Sequence, residues 1–308
     1  MKILVTGVHG QLGHDVMNEL ALRGYEGLGT DIFPLDEKDG GMLNGHPYAQ
    51  LDITDREAVH SLIREYCPDA VVHCAAWTNV DGAEDPANRD KVYAVNVEGT
   101  RNIAEAAAEE TDAKMLYLST DYVFSGEGTE PWDPDCKEYR PLNYYGQTKL
   151  EGEKAVSGLV SRFFIVRIAW VFGVNGSNFV KTMLRLGRTH DTLRVVSDQI
   201  GTPTFTYDLA RLLVDMIETE EYGYYHATNE GGYISWYEFA REIFRKAGMQ
   251  VNVVPVTTAE YGVSKARRPF NSRLDKEKLT RKGFERLPSW SDALERYLKM
   301  ISADSNMV

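Results

Sequence analysis

The first 172 residues predict an α/β fold, a parallel sheet covered by helices on both faces, and three observations carry that prediction. Short apolar, β-branched runs alternate with helix-length segments. A glycine-spaced turn follows the first run without a gap. Beyond Phe172-Gly173 the rhythm loosens into short strands, loops and separate helices, which reads as a smaller, mixed α/β C-terminal lobe. The division expected is 1–172 with about 203–226 in the sheet domain, and about 173–202 with 227–308 in the lobe.

The elements follow in order. Lys2-Ile3-Leu4-Val5 reads as a buried parallel strand, and the stretch through Val16, Leu20 and Leu22 as an amphipathic helix. Residues 25–30 form a second strand ending at Asp31. The stretch up to Asp52, with Pro34, Gly40, Gly41, Gly45 and Pro47, reads as an exposed loop apart from a third strand at 48–51. Thr54-Asp55-Arg56-Glu57 starts a helix. A fourth strand spans 70–76 and ends in small residues. A long helix at 92–109 turns Val95, Ile103 and Ala107 inward. A fifth strand (114–119), a helix (142–159) and a sixth strand (163–171) complete the rhythm, and helices at 207–218, 236–247 and 291–301 follow. Residues 302–308 read as a frayed end. In such sheets ligands bind beyond the carboxyl ends of the strands, so the segments after strands four, five and six should share one cleft.

The turn Thr6-Gly7-Val8-His9-Gly10-Gln11-Leu12-Gly13 makes the sheet Rossmann-like, doubly wound around a dinucleotide site. Gly7 permits the tight turn, Gly10 close approach to a pyrophosphate, and Gly13 close packing of helix on strand. The helix amides around Gln11 and Leu12 then face the phosphates. Asp31, eighteen residues after Gly13, accepts bonds from ribose hydroxyls and repels a 2′-phosphate. With no Arg or Lys before Lys38, NADH is favoured over NADPH; dual use stays open because the loop can return Lys38. Asp52-Ile53 stands where a strand-end loop meets an adenine edge, and equally where a helix is capped.

Composition narrows the class. The net charge is -12 with both signs interspersed. No basic stripe suggests nucleic acid or an anionic membrane, and no apolar run reaches membrane-spanning length. Cys67, Cys74 and Cys136 lack metal-ligand spacing and read as reduced cytoplasmic thiols, Cys67 and Cys74 as core residues. The seven histidines are scattered, so no metal site is expected. The chain enters its first strand at once, which leaves no room for a signal peptide.

Tyr145-Gly-Gln-Thr-Lys149 is the chemical core of the reading. Tyr and Lys four apart share one helix face, where the ammonium stabilises the phenolate and brings its pKa toward neutral. That pair suits carbonyl/alcohol interconversion. The spacing alone equally describes a solvated helix face; the glycine turn decides for hydride transfer.

Family resemblance enters with longer strings. They are Ala75-Ala76-Trp77-Thr78-Asn79-Val80-Asp81-Gly82-Ala83-Glu84, Asn96-Val97-Glu98-Gly99-Thr100, Ser119-Thr120-Asp121-Tyr122-Val123-Phe124, Tyr144 to Leu150, Arg167 to Phe172, Asp198-Gln199-Ile200-Gly201-Thr202-Pro203-Thr204, and Ala266 to Asp275. In this order, over nearly the whole chain, they resemble the extended short-chain dehydrogenase/reductases, and within them the dTDP-4-dehydrorhamnose reductases. The resemblance implies reduction of the 4-keto group of a dTDP-linked 6-deoxyhexose by NADH or NADPH. Tyr145 is then the acid, Lys149 lowers its pKa and holds the nicotinamide ribose, and Thr120 orients the carbonyl. Ala75, Ala76 and Trp77 line the cofactor. Thr78, Val80, Asp121, Tyr122, Trp170 and Gln199 belong to the sugar side, with a core role as the alternative for the apolar and aromatic ones. Asn178, Arg267 and Arg268 offer an amide and two guanidiniums to the diphosphate, against a plain surface turn before Pro269. The resemblance also implies a homodimer. Some relatives bind Mg2+ between subunits, which the proposed chemistry does not require. Tyr122 stands where the similar dehydratases carry glutamate, and Ser119-Thr120-Asp121 where epimerases carry Ser-Ser-Ala; both reactions are disfavoured. The alternative class is a non-catalytic NAD(P)-binding regulatory subunit, like that of methionine adenosyltransferase.

Overall fold

The computed structural model describes residues 1–35, 41–262 and 264–305. Its first half runs β1 (Lys2–Thr6), α1 (Gln11–Arg23), β2 (Glu26–Asp31), β3 (Met42–Leu43), β4 (His46–Gln50), α2 (Arg56–Tyr66), β5 (Ala70–His73), α3 (Val80–Ala83), α4 (Arg89–Tyr93), α5 (Thr100–Ala106), β6 (Lys114–Thr120), α6 (Tyr144–Leu159) and β7 (Phe163–Ile168). The second half continues β8 (Val171–Phe172), α7 (Phe179–Gly187), β9 (Thr192–Val196), β10 (Ile200–Gly201), β11 (Thr204–Phe205), α8 (Thr206–Ile217), β12 (Gly223–His226), β13 (Ile234–Ser235), α9 (Trp236–Lys246), β14 (Asn252–Val256), α10 (Thr258–Tyr261), α11 (Glu277–Arg281) and α12 (Trp290–Ser305). Among the described residues the main sheet has eight strands in the order β12-β7-β6-β5-β1-β2-β4-β3. Every pairing in it is parallel except β3 with β4. The direction of winding reverses between β1 and β5, the position where such sheets open a ligand crevice.

Strand periodicity explains the continuous apolar runs. Ile3, Val5, Ala70, Val72, Leu116, Leu118, Phe164 and Val166 pack with α1 and α8 on one face. The intervening Leu4, Val71, Met115, Tyr117 and Ile165 pack with α2, α5 and α6 on the other. Both faces are buried, so neither set is polar. A third apolar cluster gathers Phe172 and Phe205 with α7, α9 and α12. Leu279, Phe284 and Leu287 return to the first cluster instead, with Phe284 edge-on to Tyr225 at 5.7 Å.

Several expectations are corrected. The segment read as a loop before 48–51 holds the β3–β4 hairpin, turned by Asn44 (φ 51°) and Gly45 (φ 79°). Asn-Gly with both residues left-handed is the favoured two-residue hairpin turn. Lys38 and Gly40 lie outside the described residues. Leu22 is 73 % exposed, because Leu12, Val16, Met17 and Leu20 already occupy the inner stripe of α1. Cys67 is exposed, the left-handed residue that ends α2. The sixth strand stops at Ile168: Trp170 takes φ 52°, and Val171–Phe172 pairs with β11 instead. Helix α12 extends to Ser305, four residues into the segment read as frayed.

One buried ion pair pins the frame of the active-site strands. Arg167 on β7 is fully buried and meets the buried Glu153 of α6 through Nη2–Oε2 at 2.7 Å and Nε–Oε1 at 2.8 Å. Glu153 also accepts from Ser119 Oγ of β6 at 2.5 Å, while Arg167 donates to Pro134 O and Tyr139 Oη. Glu153→Gln strands the guanidinium in a dry site and should lower stability by about 3–5 kcal/mol in urea denaturation. Adding Arg167→Met to it should recover most of that loss; a single variant that unfolds like wild type would contradict the assignment.

Candidate functional site

The glycine turn is built for close approach. Gly7 has φ 74° and donates its N–H to Thr30 O at 2.8 Å; a Cβ there would stand 2.6 Å from Ala75 N. A Cβ on Gly13 would run into the Gly7 carbonyl. Gly10 is the extended N-cap residue of α1 and brings no side-chain acceptor, so the amides at Gln11 and Leu12 stay uncapped for an anion. Leu12 itself is core, and Gln11 Oε1 accepts from Asn178 Nδ2 at 3.0 Å. These features fit a bound dinucleotide pyrophosphate.

Asp31 closes β2 with Oδ2 accepting from His9 N at 3.0 Å and Oδ1 from Ile32 N at 2.8 Å, which leaves lone pairs for a ribose diol. Asp52 spends Oδ1 on Thr54 N (2.9 Å) and Thr54 Oγ1 (2.8 Å), and Asp55 caps α2. Of the two readings of Asp52-Ile53 the helix-start role is thus visible, and Ile53 is a core residue near Gly99. Past β5, Trp77 N donates to Asn96 Oδ1 at 2.8 Å, and Asn96 Nδ2 donates to Thr148 Oγ1 at 3.0 Å. That bridge ties the Ala75-Ala76-Trp77 strip to α6.

Helix α6 carries Tyr145 and Lys149. Asn143 caps it, accepting from Gly146 N at 2.8 Å, and Glu84 takes the Tyr144 N–H at 2.7 Å. Gly146 and Gly152 let it lie against its neighbours; a Cβ on Gly146 would strike the Tyr122 carbonyl, and one on Gly152 would stand 2.9 Å from that of Asn96. Lys149 is buried with Nζ 4.1 Å from the Tyr117 ring centroid. Tyr145 meets Tyr122 edge-on at 5.8 Å.

Burial sets the protonation states. It pushes the Tyr145 phenol above the ordinary tyrosine value, the Asp121 charge adds to this, and a hydrogen bond with Thr120 opposes it. Burial pulls Lys149 down to about 7, against the charges of Glu153 and Cys74. Below the pair, Thr6 Oγ1, His73 and Thr100 form a buried polar row (2.7 and 3.1 Å). Burial and then Lys149 lower His73 to about 3, so it stays neutral.

Asp121 faces inward between Thr120 Oγ1, which donates at 3.0 Å, and Ser272 Oγ, which donates at 2.5 Å. Burial lifts its carboxyl to about 6. Sequence reasoning left Ser272 without a role, although it lies inside the matched Ala266–Asp275 string. The same string brings Arg268 to Asp81 (Nη2–Oδ2, 2.7 Å), to Ser264 and to the Tyr122 hydroxyl. Arg267 is exposed, and its carbonyl accepts from Asn143 Nδ2 at 2.8 Å. Trp170 is half-buried and stacks on Trp236 at 3.7 Å. Val80 opens α3 and Thr78 is exposed.

Two expected ligand contacts are occupied by the framework. Asn178 caps α7 through Lys181 N and gives its amide to Gln11, Gly173 O and Tyr297. Gln199 is buried and donates to Thr258 Oγ1 at 3.0 Å. Both amides are bonded to the framework in this structure. Among the described residues no group of three or more His, Cys, Asp or Glu is placed to hold a metal ion, and no helix is long and apolar enough to cross a membrane.

Comparison with known proteins agrees with this geometry. The model of the family described as "RmlD substrate binding domain" matches residues 1–303. The spore coat polysaccharide biosynthesis protein SpsK of Bacillus subtilis is 39 % identical, with 97 % of each chain covered. The dTDP-4-dehydrorhamnose reductase of Aggregatibacter actinomycetemcomitans is 39 % identical, covering 96 % of this chain and 97 % of its own. A crystal structure of the dTDP-4-dehydrorhamnose reductase of Bacillus anthracis, in complex with NADP, is 41 % identical with a TM-score of 0.85, covering 97 % of this chain and 99 % of that one.

The Asp121 shift has a signed consequence. A carboxyl lifted from 3.8 to about 6 contributes most to stability below its unfolded value and loses that contribution as pH rises through about 6. Asp121→Asn should therefore be more stable than wild type at about pH 8, by up to about 3 kcal/mol, with the gap closing toward about pH 4. Urea denaturation at both pH values reads the difference; a gap that widens toward acid would reverse the assignment.

Proposed function

Because this chain belongs to the RmlD substrate binding domain family, we propose that it catalyses NAD(P)H-dependent reduction of dTDP-4-dehydro-6-deoxy-L-mannose to dTDP-L-rhamnose, a step of dTDP-rhamnose biosynthesis. The observation that carries this reading is Tyr145 and Lys149 four apart on α6, together with Thr120 at the end of β6 and an uncapped glycine turn. The reduced nicotinamide, when bound, supplies the hydride.

The chain's own residues do the rest. The amides at the N-terminus of α1 receive the pyrophosphate, and Asp31 receives the adenosine ribose. Lys149 holds the nicotinamide ribose beside the Ala75-Ala76-Trp77 strip. Tyr145 passes its phenolic proton to the carbonyl oxygen as the carbon gains hydride, while Thr120 donates a hydrogen bond to that oxygen. Thr120 and Lys149 are nearly inaccessible to solvent. Tyr122 and Trp170 offer aromatic faces to a deoxysugar, and Arg268 stands by for its diphosphate. The segments 173–202 and 227–308 are proposed as the nucleotide-sugar lobe, the rest as the dinucleotide domain. The free thiols of Cys67, Cys74 and Cys136 suit the cytoplasm, and a homodimer is the proposed assembly. A purely regulatory binding role is not favoured, because Thr120, Tyr145 and Lys149 are all present.

Oxidation of NADH and NADPH with the dTDP-keto-sugar tests the reading. Tyr145→Phe should cut kcat about 10²–10⁴-fold and Thr120→Val about 10²–10³-fold. Activity that survives Tyr145→Phe undiminished removes it as the acid, and preference for UDP, GDP or CDP sugars would reassign the base. NADH should give the higher kcat/KM, and Asp31→Ala should move the ratio toward NADPH; a strong NADPH preference untouched by Asp31→Ala would refute the role of Asp31.

A further inference from the structure

Resting on the reading of Arg268 as a diphosphate contact, we propose that Asp81 is a positioning residue for the nucleotide-sugar: it docks the segment 264–268 onto α3 and thereby aims Arg268 at the diphosphate. Asp81 lies in α3, just after the Ala75-Ala76-Trp77 strip. Its Oδ1 accepts from Ala266 N at 2.9 Å and from Arg268 Nη1 at 3.3 Å, and its Oδ2 from Arg268 Nη2 at 2.7 Å. Ser264 Oγ, itself an acceptor for Arg268, stands 3.2 Å from Oδ1. One carboxylate thus gathers a backbone amide and two side chains of a short segment. The carboxylate is itself well held. Asn79 caps α3 through Gly82 N at 2.9 Å, and Trp77 Nε1 donates to Asn79 O at 2.9 Å.

The chain is fixed on either side of this segment. Before it, Thr258 N and Oγ1 donate to Asp198 at 2.9 and 2.6 Å. After it, Pro269 lies so close to Gly126 that a Cβ there would overlap its ring, and Asn271 N donates to Gly126 O at 2.8 Å. Between these points Asp81 holds Ala266, which is buried, and Asn143 Nδ2 donates to Arg267 O at 2.8 Å. Burial opposes the charge of Asp81, but the bonds from Ala266 N and Arg268 keep its carboxyl below the usual carboxylate range. The Arg268 side chain stays 28 % open and that of Asp81 41 % open, so the pair lies within reach of a solute. An ion pair this exposed adds little stability. What it supplies is direction. With both Nη atoms on Asp81, the planar guanidinium is fixed beside the Tyr122 hydroxyl, which it also meets, and its remaining N–H donors point one way. Tyr122 in turn stands edge-on to Tyr145 at 5.8 Å. The line from Asp81 through Arg268 and Tyr122 therefore sets the diphosphate contact at a fixed place relative to Tyr145.

The test reads dTDP and NADH binding to the full chain by calorimetric titration, with steady-state kinetics on the dTDP-keto-sugar alongside. Arg268→Gln should weaken dTDP by about tenfold or more, the loss of a charged donor. Asp81→Asn should weaken it by about fivefold or more, raise KM for the sugar in step, and change kcat and the Kd of NADH by less than about twofold. Asp81→Glu should recover part of the loss. Added to Arg268→Gln, Asp81→Asn should cost less than about twofold more, because it acts through the guanidinium. The proposal is overturned if Asp81→Asn binds dTDP as well as wild type or more tightly, which would make Asp81 a screen on Arg268 rather than its guide. It is equally overturned if the loss persists at full size beside Arg268→Gln, or if NADH affinity falls in parallel. Wild type that does not bind dTDP, or Arg268→Gln that binds it undiminished, would instead sink the diphosphate reading and the proposal with it, a pattern distinct from the others.

Discussion

The buried pairing of Arg167 with Glu153 is the interaction on which the rest of this site depends. It joins β7 to α6, and through Ser119 it reaches the end of β6. Thr120 ends β6 and Tyr145 lies on α6, so a shift of either element against the other would separate the two side chains. A buried ion pair adds little net stability compared with apolar packing, because desolvation offsets the attraction. What it contributes here is geometry. Arg167 meets its partners only where Glu153, Pro134 O and Tyr139 converge, and the rings of Phe124, Tyr139 and Tyr224 pack on its guanidinium at 5.0, 5.2 and 4.9 Å.

Around that frame removal of water moves four groups toward their neutral forms. Tyr145 and Asp121 rise, and Lys149 and His73 fall. The consequence for chemistry is directional. A protonated phenol is the acid that reduction of a ketone needs, and the carboxylate of Asp121 beside it reinforces that state.

The stretch around Ala266–Asp275 then laces the substrate side onto the sheet. Ser272 reaches Asp121, Arg268 reaches Asp81, and the Arg267 carbonyl receives Asn143 at the cap of α6. Backbone bonds from Ile200 to Phe270 and from Ser272 to Ile200 run alongside. A change in this strip is felt both by the cap of α6 and by the carboxylate beside the acid.

Much of this was legible in the amino-acid sequence, and the reason is local. Gly7, Gly10 and Gly13 answer to steric needs that a few neighbouring residues create, so their spacing announces the turn before any fold is known. Alternating apolar runs announce strands buried on both faces, and Tyr145 and Lys149 announce a shared helix face. Even Asn44-Gly45 carried its hairpin signal, overlooked among the surrounding glycines and prolines. The unread part is long-range. Asn178 and Gln199 look like ligand-binding amides until the fold brings Lys181 N, Gln11 and Thr258 within bonding distance. Ser272 has no visible task until it arrives beside Asp121, more than a hundred residues away. The sequence by itself determined the sheet, the glycine turn and the helix face shared by Tyr145 and Lys149, because each rests on contacts within one or two elements. Only the tertiary structure decided which polar groups are spent on the framework and which way burial shifts each proton, because both depend on what the distant chain packs against them.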